Sequence, residues 1–197
     1  AHRREKPYNM GTLYWQFNDC WPVTSWSSVD YFGNWKAFHY QAKRSFENIL
    51  LSVNEENESY KVYLVNDNFE KYLDKLTLEL LSFDGKLLWN ASKKVTVAEN
   101  SSSVVFEIPK AKFSKFDLNQ AVLNVRFKNE SSNYFFVKSK DLKLTEPEIK
   151  IKTIDELTVA ISTNVLAKNV FLTSENEVFF EENYFDLFDC PFSVIIL

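Results

Sequence analysis

Three glycines in 197 residues leave this backbone few places to turn freely. Positive φ is sterically cheap only for glycine, and a glycine-rich phosphate-binding loop has no material from which to be built. Cysteine is equally scarce. Cys20 and Cys190 fall in different candidate domains, so a disulfide would need an interdomain contact, and two buried free thiols are expected instead. The two histidines, His2 and His39, have no metal-ligand spacing with each other or with cysteine. No metal and no cofactor is therefore expected, and His39, beside the apolar stripe of a helical pattern, reads as a hydrogen-bonded structural residue. No apolar run approaches the roughly 18 residues of a membrane span. Net charge is −4 and basic runs are short, which excludes a nucleic-acid footprint. The start, Ala1-His2-Arg3-Arg4-Glu5-Lys6-Pro7, is basic but lacks the apolar stretch of a signal peptide. It is expected to be an internal cut from a longer protein.

What the chain does contain is aromatic and apolar. Phe, Tyr and Trp make up 16% of it and hydrophobic residues 45%, ample for a core. Four of the five tryptophans, Trp15, Trp21, Trp26 and Trp35, crowd into one short stretch. Asn-x-Ser sequons stand at Asn57, Asn90, Asn100 and Asn129. About two or three would arise by chance in a chain this rich in Asn and Ser, so they favour an extracytoplasmic setting only slightly.

Periodicity divides the chain. Met10 to Phe17 is an apolar, β-prone run expected to form a buried strand. The stretch from Asn18 to Asn34 has no period and reads as a long loop, of a length that usually serves a function. Trp35, Phe38, Ala42, Phe46 and Ile49 then recur at helical spacing, with Lys36, Gln41, Lys43, Arg44 and Glu47 on the other face. Strand, loop and helix over residues 1–50 make one βα unit of a parallel α/β structure. From residue 51 to 140 the period is 2, in part over Tyr60–Val65 and cleanly over Leu76–Leu80, and Val104–Ile108 and Val122–Phe127 follow. Asp84-Gly85 is the strongest hairpin signal, and the spacing of strands predicts a sandwich. Glu55-Glu56-Asn57-Glu58 reads as a solvated turn. A linker, Lys138 to Glu148, leads into residues 141–197, which carry a second, shorter β pattern ending in Phe192 to Leu197. About 50 residues is little for an independent sandwich, so this domain is expected to be truncated.

Chemistry concentrates in the tryptophan segment. An indole can stack on the CH face of a sugar while Asn, Asp and Gln hydrogen-bond its hydroxyl rim. Trp15, Gln16, Asn18 and Asp19 have those types at the carboxyl end of a barrel-like strand, where barrel enzymes place functional side chains. From the residues alone a second reading stands beside it, in which Trp15 and Trp21 are core and Asn18 and Asp19 cap the loop.

The run Arg3-Arg4, Pro7-Tyr8-Asn9-Met10-Gly11-Thr12-Leu13-Tyr14-Trp15-Gln16-Phe17-Asn18-Asp19-Cys20-Trp21-Pro22 and Ser25-Trp26-Ser27-Ser28 resembles the eighth barrel strand of β-mannosidases of the glycoside hydrolase 2 type. Asp30-Tyr31, Gly33, Trp35-Lys36 and His39-Tyr40 resemble the loop and helix that follow it. Weaker resemblance continues through Val165-Leu166-Ala167-Lys168-Asn169-Val170 and Asn183-Tyr184-Phe185-Asp186-Leu187. It implies the carboxyl-terminal part of a retaining exo-β-mannosidase, mainly β: the last βα unit of a (β/α)8 barrel followed by two immunoglobulin-like β-sandwich domains. For Trp15 it implies a wall of the subsite holding the sugar to be cleaved, often with a cis peptide bond after it, and this substrate-binding role extends to Asn18 and Asp19. Retaining chemistry needs two carboxyl groups about 5 Å apart. In this family both are glutamates on earlier strands. Glu5, Asp19 and Asp30 match neither, so no catalytic residue is expected here. The implied partners are a β-mannoside oligosaccharide and the remainder of the catalytic barrel, with no nucleic acid and no membrane. The alternative is a non-catalytic carbohydrate-binding or structural β-sandwich module.

Overall fold

A computed structural model describes residues 2–176, 178–188 and 192–195, and it is mainly β. Its contacts divide the chain into two units. One joins residues 1–13 to 46–82 and 86–143; the other joins 14–45 and 83–85 to 144–197.

The first unit is built on a seven-stranded sandwich. Its strands are β1 (Ile49–Glu56), β2 (Ser59–Asn66), β3 (Tyr72–Ser82), β4 (Leu87–Val97), β5 (Ser101–Pro109), β6 (Ala121–Phe127) and β7 (Glu130–Phe135). They form a three-stranded sheet, β1-β2-β5, and a four-stranded sheet, β4-β3-β6-β7, in which every pairing is antiparallel. Alternation in the sequence explains the core. Leu76, Leu78 and Leu80 of β3 and Leu123, Val125 and Phe127 of β6 point inward, against Val62 and Leu64 of β2. Each such side chain contributes about 1.5–3 kcal/mol of burial. Phe113, carried on a 3-10 turn after β5, is fully buried and collects Tyr60, Trp89 and Phe136 at centroid distances of 6.0, 5.2 and 5.8 Å.

The β3–β4 hairpin turns at Asp84-Gly85, as the dipeptide predicts, with Gly85 at φ 81°. Elsewhere asparagine replaces the missing glycine. Asn57, in the β1–β2 turn, and Asn100, before β5, take φ of 51° and 43°, a region that asparagine tolerates better than most residues. Glu56, expected in a solvated turn, instead ends β1 and accepts hydrogen bonds from Tyr63 (2.6 Å) and Asn54 (2.8 Å) and an ion pair from Lys61 (2.9 Å).

The basic start of the chain belongs to this unit. Residues His2–Glu5 form a 3-10 turn, and Lys6 and Arg3 reach Asp67 at 2.5 and 3.1 Å. Lys6 also donates to Asn100, and Arg4 donates to Ser52 and Asn54 of β1 at 2.8 and 3.1 Å.

The second unit contains α1 (Ala37–Ser45) and strands β8 (Ile149–Asp155), β9 (Thr158–Thr163), β10 (Ala167–Val170), β11 (Phe185–Leu187) and β12 (Phe192–Ile195). Strands β12-β9-β8 make one sheet and β10-β11 the other, around Ile161, Ala167, Val170, Phe185 and Leu187. Helix α1 packs on the segment before β11: Tyr40 donates to the Phe180 carbonyl at 3.0 Å, and Lys43 and Arg44 hold Glu182 at 2.9 and 2.8 Å.

Two expectations are corrected. The helical spacing runs from Trp35 to Ile49, but the helix stops at Ser45 because Ile49 and Leu51 bury themselves in the sandwich, paired with Asn66 and Leu64 of β2. Tertiary burial outweighs one further turn of helical period. The strand predicted over Met10–Phe17 is not a ladder strand either. Residues 10–17 carry no strand assignment, and Leu13 and Trp15 stand in solvent. Among the described residues, backbone pairing reaches it only at its end, where the Gln16 and Phe17 carbonyls accept from the Ser28 and Val29 N–H groups.

Candidate functional site: the tryptophan loop

The segment from Tyr14 to Trp35 is tied together by its own backbone. Ser28 N–H donates to the Gln16 and Phe17 carbonyls, Val29 N–H donates to Phe17, and Asp19 N–H donates back to Val29. Asn18 and Val29 pair as an isolated parallel bridge. The long loop therefore closes on itself, with residues 18–19 against 28–29.

Trp15 is 80% exposed and the peptide bond to Gln16 is cis, as the resemblance implied. Gln16 Nε2 donates to the Asn18 carbonyl at 3.2 Å. Asn18 is itself exposed, its amide donating to the Asp19 carbonyl at 3.3 Å. Trp21 and Trp26 are also exposed. Trp35 is not: it packs on His39 and Phe179 at centroid distances of 4.2 and 4.5 Å.

Asp19 lies elsewhere than a sugar contact would require. Its side chain is 1% exposed. Ser25 Oγ donates to Oδ1 at 2.5 Å, Ser27 Oγ lies 2.7 Å from Oδ2, and Lys36 Nζ reaches Oδ2 at 2.9 Å. Hydrogen bonds from Ser25, Lys36 and Ser27, in that order, bring its carboxyl down to about 2. Both oxygens are spent inside the protein, so direct hydrogen bonding to a ligand, expected from residue type, is not how this carboxylate is used. Lys36, expected on the polar face of the helix, is the counter-ion. Neither it nor the two serines was expected at the site, although Ser25-Trp26-Ser27 placed six to eight residues after an Asp was a readable hint.

His39 is structural, as expected. Its Nδ1 lies 2.9 Å from Ser28 Oγ, and burial lowers its pKa. Ser28 is fully buried; its hydroxyl donates to the Phe17 carbonyl at 2.9 Å and lies 3.2 Å from Tyr14 Oη. One donor and two acceptor positions fill that hydroxyl when His39 carries its proton on Nδ1. Cys20 is a free thiol as expected, but exposed rather than buried, because the loop turns outward after Asp19. Cys190 lies outside the described residues. Asp30 accepts from the Asn34 backbone and side-chain amides at 2.8 and 2.9 Å and shapes a turn. A cavity of about 350 Å³ is lined by Lys93 and Val104–Glu107 of the sandwich and by none of these residues.

Comparison with known proteins follows the same division. Residues 58–141 match the mannosidase Ig/CBM-like domain and residues 144–191 match an Ig-fold domain. The chain carries the paired immunoglobulin-like domains of the β-mannosidases. The match corresponds to the carboxyl-terminal region of glycoside hydrolase 2 type β-mannosidases, whose immunoglobulin-like domains are a non-catalytic part of them. It is 36% identical over 110 residues to the β-mannosidase of Rattus norvegicus, covering 55% of this chain and 12% of that protein. The β-D-mannosidase of Dictyoglomus thermophilum superposes with a TM-score of 0.85 at 28% identity, over 98% of this chain and 25% of that one. An exo-chitosanase of Amycolatopsis orientalis superposes at 0.69 with 15% identity over 95% of this chain and 28% of that one, a likeness of fold alone. The chain thus spans about an eighth of the Rattus norvegicus protein and a quarter of the Dictyoglomus thermophilum one.

Proposed function

We propose that this chain is part of a retaining exo-β-mannosidase that removes terminal β-linked mannose from oligosaccharides, and that residues 1–50 supply the last βα unit of its catalytic barrel. In that reading Trp15 is one wall of the subsite for the sugar to be cleaved, and Asn18 offers its amide beside it. The observation that carries it is the exposure of Trp15. An indole 80% open to solvent contributes little to a core, and the residues that follow it, Gln16 to Asp19, are bound to Ser28 and Val29, so it stands at the edge of a closed loop. Sugar recognition uses a ring of that kind, with polar groups at its rim. The reactive carboxyl groups come from elsewhere in the parent, since Asp19 is committed to Lys36 and Asp30 to its turn.

The test is Trp15→Ala in the full-length enzyme. A fall in kcat/KM of at least about tenfold is expected, roughly 1.4 kcal/mol of transition-state stabilisation, measured at a temperature where the variant is fully folded. Trp89→Ala is the control, because Trp89 packs on Phe113 in the sandwich and should alter stability alone. Normal kcat/KM in folded Trp15→Ala enzyme would remove Trp15 from the site.

A further inference from the structure

Asp19 is the one buried carboxylate-bearing residue among those described. A buried charge is costly unless fully paired, and removing one partner leaves the other uncompensated. The carboxylate and its partners come from three places along the loop. Asp19 sits at the end of the run that carries Trp15, Ser25 and Ser27 flank Trp26, and Lys36 immediately precedes α1. Lys36 Nζ also donates to Ser27 Oγ at 2.6 Å, and Ser25 Oγ accepts from the Ser27 amide at 3.0 Å, so the four side chains form one connected cluster. Next to that cluster, Asp19 N–H and the Asn18–Val29 bridge fix the backbone of Asn18. The side chain of Gln16, next in sequence to Trp15, donates to the Asn18 carbonyl.

We propose that Asp19 and Lys36 are positioning residues of the sugar site: they touch no sugar but lock the loop so that Asn18 and Trp15 are held where a sugar would meet them. This inference rests on the reading of Trp15 and Asn18 given above. It moves Asp19 from a contact residue to a support, and adds Lys36, Ser25 and Ser27 to the machinery. The Asp19→Asn variant keeps the shape but turns an acceptor facing three donors into a group with donors of its own. Lys36, 30% exposed, can then rotate into water. The loop should loosen while the sandwich core, which shares none of these bonds, stays intact.

Two measurements test it. On the 197-residue chain, amide exchange is followed at Asp19, Ser28 and Val29, whose N–H groups close the loop. Asp19→Asn should accelerate them at least about tenfold and leave β3 and β6 unchanged; unchanged loop rates would overturn the proposal. On the full-length enzyme, p-nitrophenyl β-mannoside kinetics are compared for Trp15→Ala, Asp19→Asn, Lys36→Met and the Asp19→Asn/Lys36→Met double variant. Asp117→Asn, in an exposed ion pair with Lys143, is the control. A smaller folded fraction scales kcat and leaves KM alone, so the diagnostic is KM. Asp19→Asn and Lys36→Met should each raise KM at least about fivefold, and the double variant should be no worse than either, as residues acting as one unit behave. If Trp15→Ala impairs the enzyme while Asp19→Asn leaves KM unchanged, the positioning role is wrong and the site reading stands. If Trp15→Ala has no effect, the site reading itself fails.

Discussion

Asp19 and Glu56 show how a carboxylate type can be read in sequence while its task cannot. Both are ordinary acidic residues next to polar neighbours, yet each gathers three donors, and each is held near a pKa of about 2, from 3.8 for Asp19 and 4.5 for Glu56. Hydrogen bonds from Ser25 and from Tyr63 are the largest causes, respectively. A depressed folded-state pKa means that the unfolded chain takes up protons first as pH falls. The stability these groups contribute is therefore complete above about pH 4.5 and is lost as pH falls towards 2. Denaturant unfolding of the wild type and of Asp19→Asn/Glu56→Gln between pH 6 and 2 checks this. The difference in stability between the two should be largest above pH 4.5 and shrink on acidification; a constant difference would show that neither charge matters. The sequence made Trp15, Asn18 and Asp19 conspicuous by type, but the pairing with Lys36 spans 17 residues and depends on where α1 begins, which no local pattern encodes.

Elements with a clean period were legible. The strands β2, β3, β5 and β6 and the Asp84-Gly85 turn fall where alternation and turn chemistry put them. Strand β1 was not, because Ile49 continues the helical spacing of Trp35, Phe38, Ala42 and Phe46, and only the cross-strand partners in β2 decide otherwise. The basic segment His2–Lys6 was legible only as charge. Its role comes from contacts 44 to 94 residues away, with Asp67 receiving both Arg3 and Lys6. This clamp fastens the segment that enters the tryptophan run onto the β1-β2-β5 sheet of the sandwich. Asp67→Asn should free it: amide exchange and proteolytic nicking within residues 2–13 should increase, while the sandwich loses about 1 kcal/mol or less, the usual scale for a partly exposed pair. Undiminished protection of 2–13 in that variant would mean the ion pairs do not hold the segment.

At the scale of the molecule, two immunoglobulin-like domains and a short, tryptophan-rich segment occupy the chain, and its relatives are far longer. Large side chains on the 8–32 segment, among them Tyr8, Leu13, Trp15 and Phe32, stand open to solvent. In the reading proposed for residues 1–50, the rest of the barrel would cover this surface. Retaining hydrolysis requires two carboxyl groups about 5 Å apart, and without both the covalent route is absent rather than slowed. The most direct measurement is release of p-nitrophenol from p-nitrophenyl β-mannoside by the purified 197-residue chain, beside the full-length protein that contains it. The expected result is hydrolysis by the full-length protein and none above background by the chain. Turnover by the chain that survives a contamination control, or a full-length protein inert on β-mannosides, would contradict the account.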